Sequence, residues 1–261
     1  MTILKKELRQ SRVSLPVWTV LLSAMLAMVI LIYPEMKDQM TGMSDSFSQM
    51  GQFSQAFGMD RLDFGRFQDY FAIEFGNIMG LLGALYASML GIRSLSSEES
   101  GHTAEFLLTH PITRSRVAGE KLLALAVQIT LLNLTVALVC FGLTAAIGEE
   151  IDEGRVALLF FSNYLMHLEL AGITFGLSAF LRRNGFAVGM GIGAGAYFLN
   201  ILSNLMEELE FLKYLTPMGY TDGAQILCEG TMDAGYLLSG LLLLALSLIA
   251  GFRHYSRKDI S

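Results

Sequence analysis

Charged residues are scarce in this chain, and their scarcity excludes most soluble folds. Asp, Glu, Lys and Arg make up 16% of the 261 residues, whereas 53% are hydrophobic. Soluble globular domains carry about 25% charged residues. The composition therefore predicts a membrane protein that crosses the bilayer several times. The net charge of -6 is less informative than the division of charges between the two membrane faces.

Cysteines and catalytic signatures are also few. Of the two cysteines, Cys140 lies in an apolar run and Cys228 in a polar segment, so no intrachain disulfide is expected. The sequence has no Gly-x-x-x-x-Gly-Lys-Ser/Thr phosphate loop, no His-Glu-x-x-His and no Gly-x-Ser-x-Gly motif. We therefore predict no catalytic, cofactor-binding or metal-binding residues, and we expect any ATP hydrolysis to belong to another chain.

Six apolar runs are long enough to cross a bilayer, since a spanning helix needs about 20 residues. They predict an all-α fold in which residues 1–261 form one transmembrane domain, with external loops over 35–70 and 207–233. The spans are predicted at about 16–34, 71–92, 120–147, 156–181, 186–206 and 234–252.

Basic residues divide unequally between the two sides of these spans. Of the 18 lysines and arginines, five fall in the predicted external loops: Lys37, Arg61, Arg66, Arg155 and Lys213. The others share a side with both termini: Lys5, Lys6, Arg9, Arg12, Arg93, Arg114, Arg116, Lys121, Arg182, Arg183, Arg253, Arg257 and Lys258. Because cytoplasmic segments carry the excess of Lys and Arg, both termini are predicted to be cytoplasmic.

The first 15 residues combine four bases with apolar residues at helical spacing. This pattern predicts an amphipathic helix that lies on an anionic cytoplasmic leaflet. The apolar run that follows is long and lacks a small-residue cleavage site, so it is predicted to be a retained span and not a secretory signal.

The polar stretch over 93–121 stands between two predicted spans on the cytoplasmic side. Ser96 with Glu99 could form a capping box, and Ala104 to Thr109 could form a short helix that Pro111 ends. Thr113 is predicted to cap the helix that follows. Two interpretations are open: an amphipathic connector resting on lipid headgroups, or a docking helix that inserts its apolar residues into a groove on a soluble partner.

The residue order of this stretch resembles the loop between the second and third spans of type-2 ABC transporter permeases. The resemblance is carried by Glu98, Glu99, Gly101, Thr103, Glu105, Leu107, Leu108, Pro111, Thr113, Arg114, Gly119 and Lys121. His102 departs from the pattern, since many members run directly from Gly to Thr. The basic N-terminal string resembles the family's elbow helix, and Leu215, Thr216, Pro217 and Tyr220 loosely match its external re-entrant region.

The resemblance implies a permease subunit of an ATP-driven exporter, with the loop acting as a coupling helix on the ATPase. The implied coupling residues are Glu98, Glu99, Gly101, Thr103, Glu105, Phe106, Leu107, Leu108, Pro111 and Arg114. Two ATPase copies would bind ATP and Mg²⁺, and a second permease copy or a sister permease would complete the pathway. The implied location is a bacterial cytoplasmic membrane. Membrane lipid is an implied partner of the chain, and nucleic acid is not.

A few polar and small residues inside the spans are candidates for function. Glu169 lies in the middle of the fourth span, where an ionisable group usually faces the bundle interior or a water-filled cavity. It is a candidate for lining the transport path, and the alternative is a structural hydrogen bond to Asn133 or Thr174. Gly185, Gly189 and Gly193 share one face of the fifth span and predict close helix packing.

Two other functions are compatible with these features. An ion-coupled carrier or channel without a motor subunit would use Glu169 and the glycine-rich fifth span, but it leaves the docking-like loop unexplained. A membrane scaffold or sensor subunit that docks an ATPase would use the same loop as a transporter.

Overall fold

The computed structural model describes residues 2–48, 51, 54, 56, 61–100, 113–181 and 185–257. In these residues the secondary structure is helical, without strands. Six helices are long and apolar enough to cross a membrane, which confirms the all-α polytopic fold. We name them spans one to six: Ser14–Gln39, Phe67–Ser96, Arg114–Ile147, Glu153–Ser178, Phe186–Leu205 and Ala234–Arg257.

The first two spans belong to helices that extend into the segment predicted as an external loop. The helix of the first span begins at Ser14 and continues through Pro34 to Ser48. Proline removes one backbone hydrogen bond, but membrane helices tolerate it where nearby groups compensate. The second span already begins at Phe67 and includes a π-helical turn over Met79–Gly83 before the helix Ala84–Ser100.

Shorter helices lie at the two ends of the bundle. The N-terminal helix Thr2–Gln10 precedes the first span. Between the fifth and sixth spans come two 3-10 segments, Glu207–Tyr214 and Gly219–Thr221, and the short helix Gly223–Glu229. Asp222 caps this short helix by accepting hydrogen bonds from the backbone amides of Ala224 and Gln225.

The fourth span is the central helix and packs against the second, third and sixth spans. Small residues allow this close approach, as expected where lipid removes the hydrophobic drive for helix association. Gly91 of the second span lies against the backbone carbonyl of Ala171. On another side of the fourth span, Gly176 faces Gly251 and the Ser247 carbonyl of the sixth span.

The two ends of the bundle differ in charge. The end that holds the N-terminal helix also holds the termini of spans two, three and six, and we call it the basic end. The opposite end, called the loop end, holds residues 61–66, 148–152 and 206–233. There each of the five basic residues has a carboxylate within 4 Å: the pairs are Lys37–Glu149, Arg61–Asp222, Arg66–Asp69, Arg155–Asp152 and Lys213–Glu210.

The glycine face of the fifth span lies against the second span. Side-chain atoms of Ile92 lie close to Gly185 and Gly189. A β-carbon placed on Gly193 would lie 2.9 Å from the Ala84 carbonyl oxygen, which is closer than real β-carbon contacts. By contrast, a β-carbon on Gly191 would have no neighbour within 4 Å.

We predict that Gly193→Ala destabilises the bundle and that Gly191→Ala does not. The added methyl group would press against the backbone of Ala84 and should lower the free energy of unfolding by about 1–3 kcal/mol. The control change should be neutral or stabilising by up to ~1 kcal/mol, because alanine favours helix more than glycine does. Thermal unfolding of the two variants in one detergent checks this, and equal melting temperatures would contradict the packing described.

Candidate functional site

The predicted coupling loop begins and ends at the basic end of the bundle. Residues 101–112 lie outside the described residues, so the roles of Gly101, Thr103, Glu105, Phe106, Leu107, Leu108 and Pro111 stay predictions. Glu98 and Glu99 belong to the last turn of the helix Ala84–Ser100. Arg114 is the first residue of the third span. The structure therefore describes the two ends from which the loop emerges.

Local caps at these two ends differ from the expectation. Ser96 does not begin a helix; it lies within the second span, where its hydroxyl donates to the Ile92 carbonyl at 2.9 Å. A serine in an apolar helix satisfies its hydroxyl in this way, because the carbonyl four residues earlier is the nearest acceptor. Thr113 does occupy the N-cap position of the third span, but within the described part its side chain caps no amide.

Lys121 links three segments at the start of the third span. Its side chain is only 1% exposed. The ammonium donates to the Glu7 carboxylate of the N-terminal helix at 2.7 Å and to the Ser94 carbonyl of the second span at 2.8 Å. A buried ammonium is stable only when such partners replace water. This contact, which we call the Lys121 clamp, holds both ends of the predicted loop against the N-terminal helix.

The neighbouring residue, Glu120, binds the beginning of the N-terminal helix. Its carboxylate accepts hydrogen bonds from the backbone amides of Ile3 and Leu4 at 3.2 and 3.4 Å. Free amides at a helix N-terminus carry partial positive charge, so a carboxylate is favourable there. Consecutive residues of the third span thus hold both the start and the middle of the N-terminal helix.

The sixth span joins the same end. The Arg114 guanidinium donates to the Tyr255 carbonyl at 3.5 Å, and the Ser115 and Ser256 hydroxyls lie 3.5 Å apart. The start of the third span is therefore connected to the end of the sixth span as well as to the N-terminal helix. A force applied at the loop can reach three spans through these contacts.

We predict that Lys121→Met loosens the N-terminal helix. Loss of a buried charged hydrogen-bond partner should lower the free energy of unfolding by about 1–3 kcal/mol. It also leaves the Glu7 carboxylate without the Lys121 ammonium. Limited trypsin digestion should then cleave within residues 5–9 faster than in the original chain. Arg93→Met is the matched control, because Arg93 is an exposed base of the second span at the same end of the bundle and is not part of the Lys121 clamp or of the Glu120 contact. Equal cleavage of the two variants would show that the clamp does not hold the helix.

Glu169 is buried at the interface of the fourth and sixth spans. The residue is 2% exposed, and its carboxylate lies against Gly240, where a β-carbon would collide with one carboxylate oxygen. Among the described residues neither carboxylate oxygen has a hydrogen-bond partner. The suggested partners are engaged elsewhere: Asn133 pairs with His167, and Thr174 donates to the Leu170 carbonyl. The structural hydrogen bond proposed for Glu169 is therefore not formed with either of them.

Tyr220, from the loop end, is the polar neighbour of Glu169. Its side chain is 1% exposed, and burial, followed by the nearby charge of Glu169, raises the pKa of the Tyr220 hydroxyl. The hydroxyl therefore stays protonated and can donate. The two groups interact electrostatically, although their geometry falls short of a hydrogen bond.

His167 is a structural residue on a different face of the fourth span. One ring nitrogen lies 3.0 Å from the Asn133 side-chain oxygen, and the other lies 3.0 Å from the Met79 carbonyl. The ring also faces Gly83, where a β-carbon would collide with it. His167 thus connects the fourth span to the second and third, and it does not meet Glu169. No cluster of three metal-ligating side chains occurs within the described ranges.

A polar cleft between the second and fifth spans was missed by the sequence analysis. It has a volume of about 70 Å³ near the loop end, and Asn77, Tyr197, Asn200 and Asn204 contribute to its lining. The Tyr197 hydroxyl donates to the Asn77 side-chain oxygen at 3.1 Å. The sequence contains a signal for this cleft, because the polar residues at 197, 200 and 204 have the spacing of one helix face. Only the packing shows that this face meets Asn77.

Comparison of the chain with models of protein families gives a match over almost its whole length. The model, described as ABC-2 family transporter protein, covers residues 1–260. Comparison with curated proteins finds no match.

Proposed function

We propose that this chain, which belongs to the ABC-2 family of transporter proteins, docks its ATPase through the loop that contains residues 101–112. Membership makes it a multi-pass membrane permease of an ABC transporter, working with an ABC ATPase subunit. The loop would transmit ATP-driven movement of the ATPase to the spans. Such coupling needs a lever that moves as one piece.

The observation that carries this proposal is the Lys121 clamp. It connects the end of the second span, the start of the third span and the N-terminal helix through one buried ammonium. A loop with loose ends would absorb a displacement, whereas a loop with clamped ends transfers it to the helices. The link from Arg114 to Tyr255 extends this connection to the sixth span.

The remaining parts of the transporter are proposed from the family resemblance. The sequence has no phosphate loop, and the resemblance implies two partner ATPase copies that would bind ATP and Mg²⁺. A second permease copy or a sister permease would complete the pathway, in a bacterial cytoplasmic membrane. We propose export as the direction, with the basic end and both termini in the cytoplasm, in agreement with the distribution of basic residues.

Two features of the described residues favour a substrate path through the bundle. The cleft beside Asn77 and Tyr197 places amide groups between spans that are otherwise apolar. Glu169 places a carboxylate at a second interface, next to Gly240 and Tyr220. Polar groups at membrane depth are costly and are usually found where they serve a path or a structural network.

We predict that Leu107→Asp combined with Leu108→Asp releases the ATPase without preventing membrane insertion. Charged groups placed in an apolar docking groove would lose solvation without gaining a partner. The tagged chain is extracted in mild detergent, and the ATPase recovered with it is quantified by mass spectrometry. Recovery should fall at least about tenfold, which corresponds to a loss of only ~1.4 kcal/mol in binding.

The matched control places the same charges at the loop end. Phe211 and Leu215 are 57% and 58% exposed, so Phe211→Asp with Leu215→Asp changes two exposed apolar residues on the opposite side. ATPase recovery should be unchanged in this control. Undiminished recovery with the Leu107 and Leu108 variant would overturn the docking proposal. Recovery of the original chain without an ATPase would favour the ion-coupled carrier.

We predict that Glu169→Gln reduces transport more than it reduces folded protein. The amide keeps the size of the side chain beside Gly240 but removes its charge. Substrate-stimulated ATP hydrolysis and the melting temperature of the reconstituted complex are measured together. A lower melting temperature with unchanged turnover per folded complex would instead assign Glu169 a structural role.

A further inference from the structure

The N-terminal helix carries a basic surface that no acidic residue neutralises in the described part of the chain. Lys5, Lys6, Arg9 and Arg12 are exposed, and we call them the basic patch. Lys5, Lys6 and Arg9 lie on the helix Thr2–Gln10, where both lysines precede Arg9 by three or four residues, and Arg12 lies in the turn that follows. The described residues provide none of them with an ion pair, whereas each of the five bases at the loop end has a carboxylate partner. Glu7, on the same helix, points inward to Lys121.

The basic patch adjoins the apolar outer surface of the first span. Val13, Val17 and Val20 follow the patch in the chain and are 59–69% exposed. Exposed valines on a membrane span mark the hydrocarbon, and bases at its edge lie where lipid phosphates are found. Trp18, half-buried near the start of the span, contacts Tyr86 of the second span, with ring centroids 5.5 Å apart and the rings tilted by 41°. The patch is therefore at headgroup level.

We propose that the basic patch binds the phosphate groups of anionic membrane lipids and that this binding strengthens coupling to the ATPase. The path is short: the patch and Glu7 share one helix, and Glu7 is held by Lys121, which also holds the Ser94 carbonyl. Lipid bound on the outer face would fix the N-terminal helix, and the helix would fix both ends of the docking loop. The second half of this inference rests on the proposed function; the lipid site does not.

The continuity of the patch with the valine surface favours a lipid over an acidic protein surface. A lipid offers an anionic phosphate and an apolar chain together, at the spacing that adjoining bases and valines require. An acidic surface of the ATPase would use the charges alone. The two occupants differ in a measurable way, because only the first makes anionic lipid preferred over neutral lipid beside Trp18.

The lipid site is tested with the only tryptophan of the chain, Trp18. The purified full chain is placed in nanodiscs that contain brominated phosphatidylglycerol or brominated phosphatidylcholine, and quenching of Trp18 fluorescence is titrated. Quenching should favour the anionic lipid at low salt and lose this preference at high salt. Each neutralised base should lower the preference on the order of fivefold, from ~1 kcal/mol for each base near an anionic surface.

Two double variants separate the patch from general charge at the basic end. Lys5→Gln with Arg9→Gln should remove most of the anionic preference. Arg253→Gln with Arg257→Gln removes the same amount of charge from exposed positions on the sixth span. This variant should keep most of the preference for anionic lipid. Equal quenching by the two lipids in the original chain, or equal loss in the two variants, would overturn the lipid site.

The coupling half is tested in the complete complex with its ATPase. Phosphatidylglycerol at about one third of the lipid should stimulate ATP hydrolysis several-fold over pure phosphatidylcholine. Glu7→Met should keep the quenching preference, because the patch is intact, but should lose most of the stimulation, because methionine offers the Lys121 ammonium no oxygen acceptor. Persisting stimulation in Glu7→Met would overturn the transmission path.

The outcomes also separate failure of the site from failure of the proposed function. Anionic quenching of Trp18 with no ATPase bound to the chain would leave the lipid site standing and remove the proposed function. Loss of the ATPase from the Lys5 and Arg9 variant in lipid-free detergent would show that the patch binds the ATPase, and this would overturn the lipid proposal.

Discussion

The hydrocarbon of a bilayer cannot hydrogen-bond to the peptide backbone, so each span must satisfy its own amides and carbonyls as a helix. That constraint leaves helix association to close packing and to a few polar contacts. Glycines meet this need around the fourth span, where Gly91 approaches the Ala171 carbonyl and Gly176 approaches Gly251. The central position of the fourth span is a consequence of this packing, and it brings Glu169 and His167 into the interior.

The same constraint explains the arrangement of charges at the two ends. At the loop end, bases pair with acids that are near in the chain, as in Arg66–Asp69, or far away, as in Lys37–Glu149 and Arg61–Asp222, which are 112 and 161 residues apart. The Arg155 guanidinium also reaches the Leu227 carbonyl of the short helix. At the basic end the difference is burial, because Lys121, which joins Glu7 across 114 residues, has a side chain that is only 1% exposed. In the proposed assembly, the basic patch outside this contact faces membrane lipid. The bases of the loop end are thus paired within the chain, whereas the basic end is the one that we propose contacts lipid and a motor subunit.

Polar groups in the middle of the bundle divide into two kinds. His167 has an oxygen 3.0 Å from each ring nitrogen and joins the second, third and fourth spans. Glu169 is buried beside Tyr220, without a hydrogen-bond partner among the described residues, and the glycine at position 240 leaves room for its carboxylate. A group held between neighbouring spans stabilises one arrangement, whereas a carboxylate without a hydrogen-bond partner among the described residues can gain one when helices move. The transport role proposed for Glu169, and not for His167, rests on this difference.

The amino-acid sequence alone determined the class of the molecule: six spans, the helical fold, the charge asymmetry and the family resemblance. These properties depend on composition and on local patterns, which need no knowledge of neighbours. It did not determine the partners of particular side chains. Ser96 was expected to cap a helix and lies inside one, and the alternative of a structural hydrogen bond from Glu169 to Asn133 or Thr174 is not formed, since Glu169 meets Gly240 and Tyr220. Only the tertiary structure decided these contacts, the Lys121 clamp and the polar cleft beside Asn77. The reason is that the rotation and depth of each span depend on how distant helices pack.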